Sequence, residues 1–188
     1  MKLFRPVLPN EIQITGSKSK SNRLLVLQKL FGNIEIKNIS NSQDTKLLQK
    51  TLNSDEKTID ILHAGTAMRF LTSFFAVQEG IEKILTGSER MKQRPIKPLV
   101  EALRKLGADI EYLENDGFPP LKIKGKTLEK NFVEIPADIS SQFITSLILV
   151  GGKLENGLTI KLLGEITSRP YIEMTLKLLS EISEKSII

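Results

Sequence analysis

Four short runs hold the groups in this sequence best suited to gripping a charged ligand: GSKSKSNR at 16–23, AGTAMR at 64–69, SSQ at 140–142 and SRP at 168–170. Each opens a stretch with helical spacing. Small and hydroxyl side chains at a helix start let backbone N–H groups approach an anion, and the helix dipole adds roughly half a positive charge there. Any one of these serines, taken alone, reads as an N-cap. Basic residues recur beside the runs, however: Lys18, Lys20 and Arg23; Arg69; Arg90, Lys92 and Arg94; Arg169. Together they predict binding of phosphates and carboxylates. Other chemistries lack their residues. The sequence has no cysteine, which removes thiolate nucleophiles and cysteine zinc sites. Its one histidine, His63, has no Asp or Glu around it at ligand spacing, so it reads as structural and no metal site is expected. No GxSxG elbow, P-loop or GxGxxG run occurs. Lys, Arg, Ser and backbone N–H remain as the working groups.

The elements that must carry these groups repeat along the chain. Phe70, Leu71, Phe74 and Phe75 have counterparts 73 residues later in Phe143, Ile144, Leu147 and Ile148, and Val26, Leu27, Leu30 and Phe31 share the spacing. Apolar residues at i, i+1, i+4 and i+5 lay one stripe along a helix. A strand is predicted after each of the three helices, at Ile34–Lys37, Ile81–Leu85 and Leu158–Leu163. A second helix follows in each copy. The first is predicted to start at an Asp44 cap, the second at Arg94-Pro95 and the third at Arg169-Pro170, proline being at home in a first turn. Asp109–Leu113 and Leu121–Lys124 read as two strands around the turn Asn115-Asp116-Gly117. The unit is βαβαββ, with a shortened first copy and an incomplete third. A chain that stops inside its own repeat reads as a fragment, the alternative being a short last repeat that caps the domain.

Bulk properties agree with an α/β (α+β) globular chain. At 188 residues, with 40% hydrophobic and 26% charged, it can bury a full core without disulfides. Its charge of +5 is spread without a block of five basic residues, and 5% aromatics is too few for a base-stacking surface, so no nucleic-acid partner is expected. The N-terminal stretch lacks the apolar core of a signal peptide and no run spans a membrane, so a cytoplasmic location is expected.

The blocks GSKSKSNR, AGTAMR, LTGSERMKQRPIKPLVEALRKLGADI, FPPLKIKG, SSQFITSLIL and SRPYIEMTLKLL stand in the order found in the 5-enolpyruvylshikimate-3-phosphate synthases, and the chain resembles that family from about Leu8 to Leu179. The resemblance implies an enolpyruvyl transferase-like inside-out α/β barrel domain. Residues 1–10 would belong to the opposite domain and 11–188 to a substrate-binding domain. The activity implied is transfer of the enolpyruvyl group of phosphoenolpyruvate to the 5-hydroxyl of shikimate 3-phosphate, without cofactor or metal. Lys18 would lie between both substrates as the catalytic group. Ser19, Arg23, Ser140, Ser141, Gln142, Ser168 and Tyr171 would hold shikimate 3-phosphate; Gly65 and Arg94, with Gln142, would hold phosphoenolpyruvate. Read without the family, Lys18 is a surface lysine, Arg94 a first-turn arginine and Tyr171 a packing residue. Two departures stand out: Phe70 replaces a proline common in relatives, predicting a straighter helix, and His63 replaces an asparagine. Relatives are about twice as long, with their acid and base carboxylates in a second domain. Glu89, Asp109 and Asp138 do not match those carboxylates. This chain alone would then offer half a site and little turnover; a non-catalytic phosphate-binding or interaction module, or one chain of a split enzyme, are the alternatives.

Overall fold

The computed structural model describes residues 14–32 and 34–182, so the segment 1–10 that the resemblance assigns to an opposite domain lies outside the described residues. The chain forms helix α1 (Lys18–Phe31), α2 (Gln43–Leu52), strand β1 (Thr58–Asp60), α3 (Gly65–Ala76), β2 (Glu82–Thr86), α4 (Glu89–Lys92), α5 (Lys97–Leu106), β3 (Asp109–Tyr112), β4 (Leu121–Lys124), β5 (Phe132–Pro136), α6 (Ser141–Gly151), β6 (Thr159–Leu163) and α7 (Arg169–Ile182). The second copy thus runs β1-α3-β2-α5-β3-β4 with the short α4 inserted, and the third β5-α6-β6-α7. No described helix is long and apolar enough to cross a membrane.

Both copies make the same supersecondary choice. β1 and β2 pair in parallel with α3 as the crossover, and β5 and β6 pair in parallel with α6 as the crossover, because parallel neighbours need a long connection that a helix supplies. β4 then adds antiparallel to β2, and β3 to β4, giving a sheet of order β1-β2-β4-β3 beside the two-stranded β5-β6. The crossover helices are apolar almost all round. Every residue of α3 except Thr66, and every residue of α6 except Gln142, is buried, as expected for helices at a centre and not on a face. They pack on each other and on α1. Their contact joins equivalent positions of the repeat: Ser73 and Ser146, 73 residues apart, share a 2.6 Å hydrogen bond, and the Ser146 hydroxyl also lies 2.6 Å from the Arg69 carbonyl. The outer α5 is one-sided, burying Leu99, Val100, Leu103 and Leu106, and ends at Gly107 in the left-handed region (φ 111°).

Several predicted elements shift. Ile34–Lys37 is not a strand: no neighbouring strand offers a ladder among the described residues, and the Ile34 carbonyl is taken at 2.6 Å by the Gln28 side chain. Alternation without a partner does not make a strand. The cap of α2 is Ser42, whose hydroxyl accepts the Thr45 N–H, and Asp44 inside the first turn is free to pair elsewhere. Pro95 precedes α5, and Pro98 occupies its first turn instead. The turn at 115–117 forms, with Gly117 at φ 87°. Phe70 lies within one unbroken helix, as expected, and is 1% exposed.

Candidate functional site

The N-terminus of α1 is capped by the Ser17 hydroxyl, which accepts from Lys20 N–H. Lys18 therefore stands in the first turn, half exposed, with Nζ 3.3 Å from Asp44 Oδ2 on α2. Ser19, beside it, offers its carbonyl to Arg23 Nη1 at 2.8 Å. Arg23 is not a surface cation. It is 4% exposed, and Nε donates to Thr175 Oγ1 at 2.7 Å while Nη2 reaches Thr145 Oγ1 and the Tyr171 carbonyl, both at 3.3 Å. One face lies over the Phe70 ring and another over the Tyr171 ring, each 5.7 Å away. Burial lowers its pKa from 12.5 to about 10, with Tyr171 acting weakly the other way, so the group stays charged at neutral pH. Four of its five N–H groups are engaged. Arg23 thus ties together α1, α6 and α7, and half-exposed Tyr171 covers it.

The starts of α6 and α7 are joined by their preceding loops. Thr167 N–H donates to the Ala137 carbonyl at 3.1 Å and its hydroxyl to the Ile139 carbonyl at 3.0 Å, which sets Ser168 beside the Ser140 cap. Ser168 has φ 54°, a left-handed conformation that costs a non-glycine residue about 1 kcal/mol or more. Ser141 is buried and Gln142 points across to α3, its Nε2 donating to Thr66 Oγ1 at 3.3 Å.

At the start of α3 the backbone is buried under a side chain. A Cβ at Gly65 would fall 2.8 Å from Nη2 and 2.9 Å from Cζ of Arg94, so the guanidinium lies directly on the glycine. Beneath it, Arg69 is 4% exposed, donating to the Gly65 carbonyl at 3.2 Å and the Pro95 carbonyl at 3.0 Å, with its Cζ 5.4 Å from the Phe143 ring centre. Burial and then repulsion from Arg94 lower its pKa from 12.5 to about 10, and its buried Nε–H has no partner among the described residues. Beside Arg94 opens a cleft of about 490 Å³ lined by His63, Arg90, Met91 and Arg94. Among the described residues no carboxylate pairs with Arg69, Arg90 or Arg94. Two guanidinium groups without a carboxylate partner among the described residues line the opening, with buried Arg69 behind them, and leave a positive potential that suits an anion.

Every run singled out in the sequence therefore starts a helix, and hydrogen bonds link the starts in sequence: α1 to α7 and α6 through Arg23, α6 to α3 through Gln142, and α3 to the Arg94-Pro95 segment through Arg69, which donates to the Pro95 carbonyl. No hydrogen bond joins Lys18 to the Arg94 cleft among the described residues. Sequence reasoning counted Arg69 and Arg90 among the helix-start cations without giving either a role, missed Thr145 and Thr175, and took His63 for a structural residue where it is exposed on the cleft wall. Arg69 had a signal, being four residues after Gly65 and so one turn above it; Thr145 and Thr175 had none, since a threonine on an apolar helix looks like filler. No three His, Asp or Glu side chains among the described residues gather as metal ligands.

Comparison with known proteins adds ancestry to this geometry. The profile of EPSP synthase (3-phosphoshikimate 1-carboxyvinyltransferase) matches residues 47–185. The 3-phosphoshikimate 1-carboxyvinyltransferase of Bacteroides fragilis (strain YCH46) is 49% identical over 171 residues, 90% of this chain and 42% of the relative. That of Shewanella woodyi is 39% identical over 218 residues, all of this chain and 51% of the relative. The EPSP synthase structure from Acinetobacter baumannii superposes with a TM-score of 0.70 at 19% identity, covering 86% of this chain and 42% of that one, a likeness of fold. The chain spans about half the length of the curated relatives it matches.

Proposed function

Because the chain belongs to the EPSP synthase (3-phosphoshikimate 1-carboxyvinyltransferase) family, we propose that it provides one wall of a site that transfers the enolpyruvyl group of phosphoenolpyruvate to the 5-hydroxyl of shikimate 3-phosphate. In such a transfer the hydroxyl oxygen adds to C2 of phosphoenolpyruvate while C3 gains a proton, and loss of that proton with the phosphate restores the double bond. Charge on phosphate and carboxylate oxygens must be held throughout. The observation that carries the reading is the Arg94 guanidinium lying on Gly65 at a cleft that Arg90 also lines, with no carboxylate among the described residues to neutralise them.

On this reading Arg94 and the Gly65 backbone hold phosphoenolpyruvate, with Gln142 at its edge. Ser19, Ser140, Ser141, Gln142, Ser168 and Tyr171 hold shikimate 3-phosphate. Lys18 lies between the two, where its ammonium stabilises developing negative charge and relays protons. Its link to Asp44 is an exposed pair at 3.3 Å, worth at most about 1 kcal/mol, so a ligand can draw the ammonium away. Arg23 acts mainly by setting the helix starts, with one Nη1–H left for a ligand oxygen. The paired βαβ units support a domain of the inside-out barrel kind, residues 1–10 serving an opposite domain and 11–188 this one. Catalysis needs oriented groups on both sides of the reacting atoms, and one wall alone loses many orders of magnitude; we therefore expect binding without steady turnover from the 188 residues.

Calorimetric titration of the purified chain with shikimate 3-phosphate tests this. Saturable binding weakened by Ser141→Ala supports it, and a folded chain that binds nothing removes the half-site reading. Ser141→Ala is preferred to Arg23→Ala, which would also untie three helices. Steady turnover by the chain alone would refute the expected inactivity.

A further inference from the structure

We propose that Thr175 is a positioning residue of the candidate site: its buried hydroxyl fixes the plane of the Arg23 guanidinium and ties it to the first turn of α7, so that one Nη1–H and the Tyr171 ring meet the ligand together. The proposal rests on the reading of this wall as a site for shikimate 3-phosphate, and deepens it with a residue that itself touches no ligand.

On α7 the buried residues are Ile172, Thr175, Leu178 and Leu179, an apolar stripe with one hydroxyl in it. Thr175 is 0% exposed, as is Thr145 beside it on α6. Packing alone would be served at least as well by valine, which has no hydroxyl to desolvate. The hydroxyl engages a cation instead. Thr175 Oγ1 accepts Arg23 Nε–H at 2.7 Å and gives its own proton to the Tyr171 carbonyl, also at 2.7 Å, one turn earlier in the helix. The contact to Thr145 Oγ1, at 3.5 Å, is a weaker competitor for that proton. Arg23 Nη2 reaches the same Tyr171 carbonyl at 3.3 Å, which closes a ring of hydrogen bonds through guanidinium, hydroxyl and backbone.

A guanidinium is planar and its N–H directions are fixed relative to one another, so holding Nε–H and Nη2 sets the direction of both Nη1–H groups. One of these goes to the Ser19 carbonyl at 2.8 Å, and the other has no partner among the described residues. Thr175 is the sole acceptor of Nε–H among the described residues, which makes it the pivot. The hold at Nη2 is looser, both distances being 3.3 Å, and leaves Thr145 in a supporting part. The Thr175 hydroxyl acts on the start of α7 as well. The carbonyl it grips belongs to the residue whose ring lies 5.7 Å from Arg23 Cζ and whose N–H donates to the Ser168 carbonyl at 3.1 Å. Arg23, Tyr171 and Ser168 are thereby set as a unit by one side chain that solvent never reaches.

Affinity for shikimate 3-phosphate is measured calorimetrically on the full chain for wild type, Thr175→Val, Thr175→Ser and Thr145→Val, beside thermal unfolding of each. Valine keeps the methyl group and loses the hydroxyl; serine does the reverse. The expected result is affinity that follows the hydroxyl: weaker by roughly tenfold in Thr175→Val, within about twofold of wild type in Thr175→Ser, and less affected in Thr145→Val than in Thr175→Val. Stability should fall in both Thr175 variants, through lost methyl contacts in serine and a stranded Nε–H in valine, so a threonine that only packs would not separate their affinities. Equal losses of affinity in the two, or wild-type affinity in a folded Thr175→Val while Ser141→Ala still weakens binding, would overturn the role of Thr175 and leave the half-site standing. A folded wild type that binds nothing would remove both. The Arg23 Nε–H signal of the wild type, followed by NMR, needs no variant to fold: it should exchange with solvent far more slowly than the same group of exposed arginines, and exchange at their rate would overturn the pivot.

Discussion

Gly65→Ala separates what the glycine does for the fold from what it does for the cleft. Gly65 does not have a left-handed φ, so alanine can adopt its backbone, and the unfolded chain loses freedom. From that source alone the fold should gain about 0.4–1 kcal/mol, or about 1–4 °C in Tm for a chain of this size. The new Cβ, however, would stand 2.8 Å from Arg94 Nη2 and 2.9 Å from Cζ. Ordinary contact begins near 3.5 Å and Nη1 would lie closer still, so the guanidinium must retreat by about 1 Å or slightly more. Being the end of an exposed, flexible side chain it can do so cheaply, which spares stability but misplaces the charge. A shift of this size removes about one charge-assisted hydrogen bond, roughly 1.5–3 kcal/mol, or on the order of 10- to 100-fold in affinity for phosphoenolpyruvate. Calorimetric titration and thermal unfolding of wild type, Gly65→Ala, Arg94→Ala and the double variant form a cycle. In the Arg94→Ala background the alanine should have no further effect on binding. A Gly65→Ala penalty that persists in full without Arg94, or a Tm several degrees below wild type, would refute the reasoning.

Other substitutions probe the frame around the cleft. Ser146→Ala should cost about 1–3 kcal/mol in urea unfolding because it strands the buried Ser73 hydroxyl, and Ser73→Ala added to it should cost less than the separate effects summed. Arg23→Met removes the guanidinium's bonds to Thr145, Thr175 and two carbonyls at a buried junction and should lose about 3 kcal/mol or more; Arg23→Lys should recover only part, since an ammonium cannot span the fork. Tyr112 behaves oppositely. Its buried hydroxyl has no partner among the described residues, and burial pushes its pKa from 10 up to about 12. The folded state therefore holds a proton that the unfolded state releases, so this group's stabilisation is complete below pH 10 and is lost as pH rises to about 12. Tyr112→Phe should remove that slope in alkaline unfolding curves and leave neutral-pH stability unchanged or up to about 1 kcal/mol higher; a clear loss at pH 7 would show a partner for the hydroxyl.

Much of this molecule is legible in one dimension because its central signals are local. A stripe at i, i+1, i+4 and i+5 can only be a helix burying one side, and seeing it twice at a spacing of 73 residues gives the repeat before any coordinates. The hydroxyl-rich helix starts are local too, since capping and backbone access to an anion depend on three or four adjacent residues. Strands are legible only where pattern and partner coincide. Ile34–Lys37 alternates as well as β2 does but has no ladder, while β1 and β5, located by no strong pattern, form because βαβ closure brings a neighbour to them.

The sequence by itself determined the four hydroxyl-rich helix starts, the repeat and the family, all of which follow from residue order over short spans. Tertiary structure alone decided which cations are free. Arg23, Arg69, Arg90 and Arg94 are the same residue type in similar local settings, yet Arg23 is consumed by hydroxyls and carbonyls from three helices while Arg90 and Arg94 face an open cleft. Availability of a charge is set by what distant segments bring within 3 Å of it and how much water they remove. No local pattern encodes that, and so His63 and Arg90 could be assigned to the cleft only from the tertiary structure.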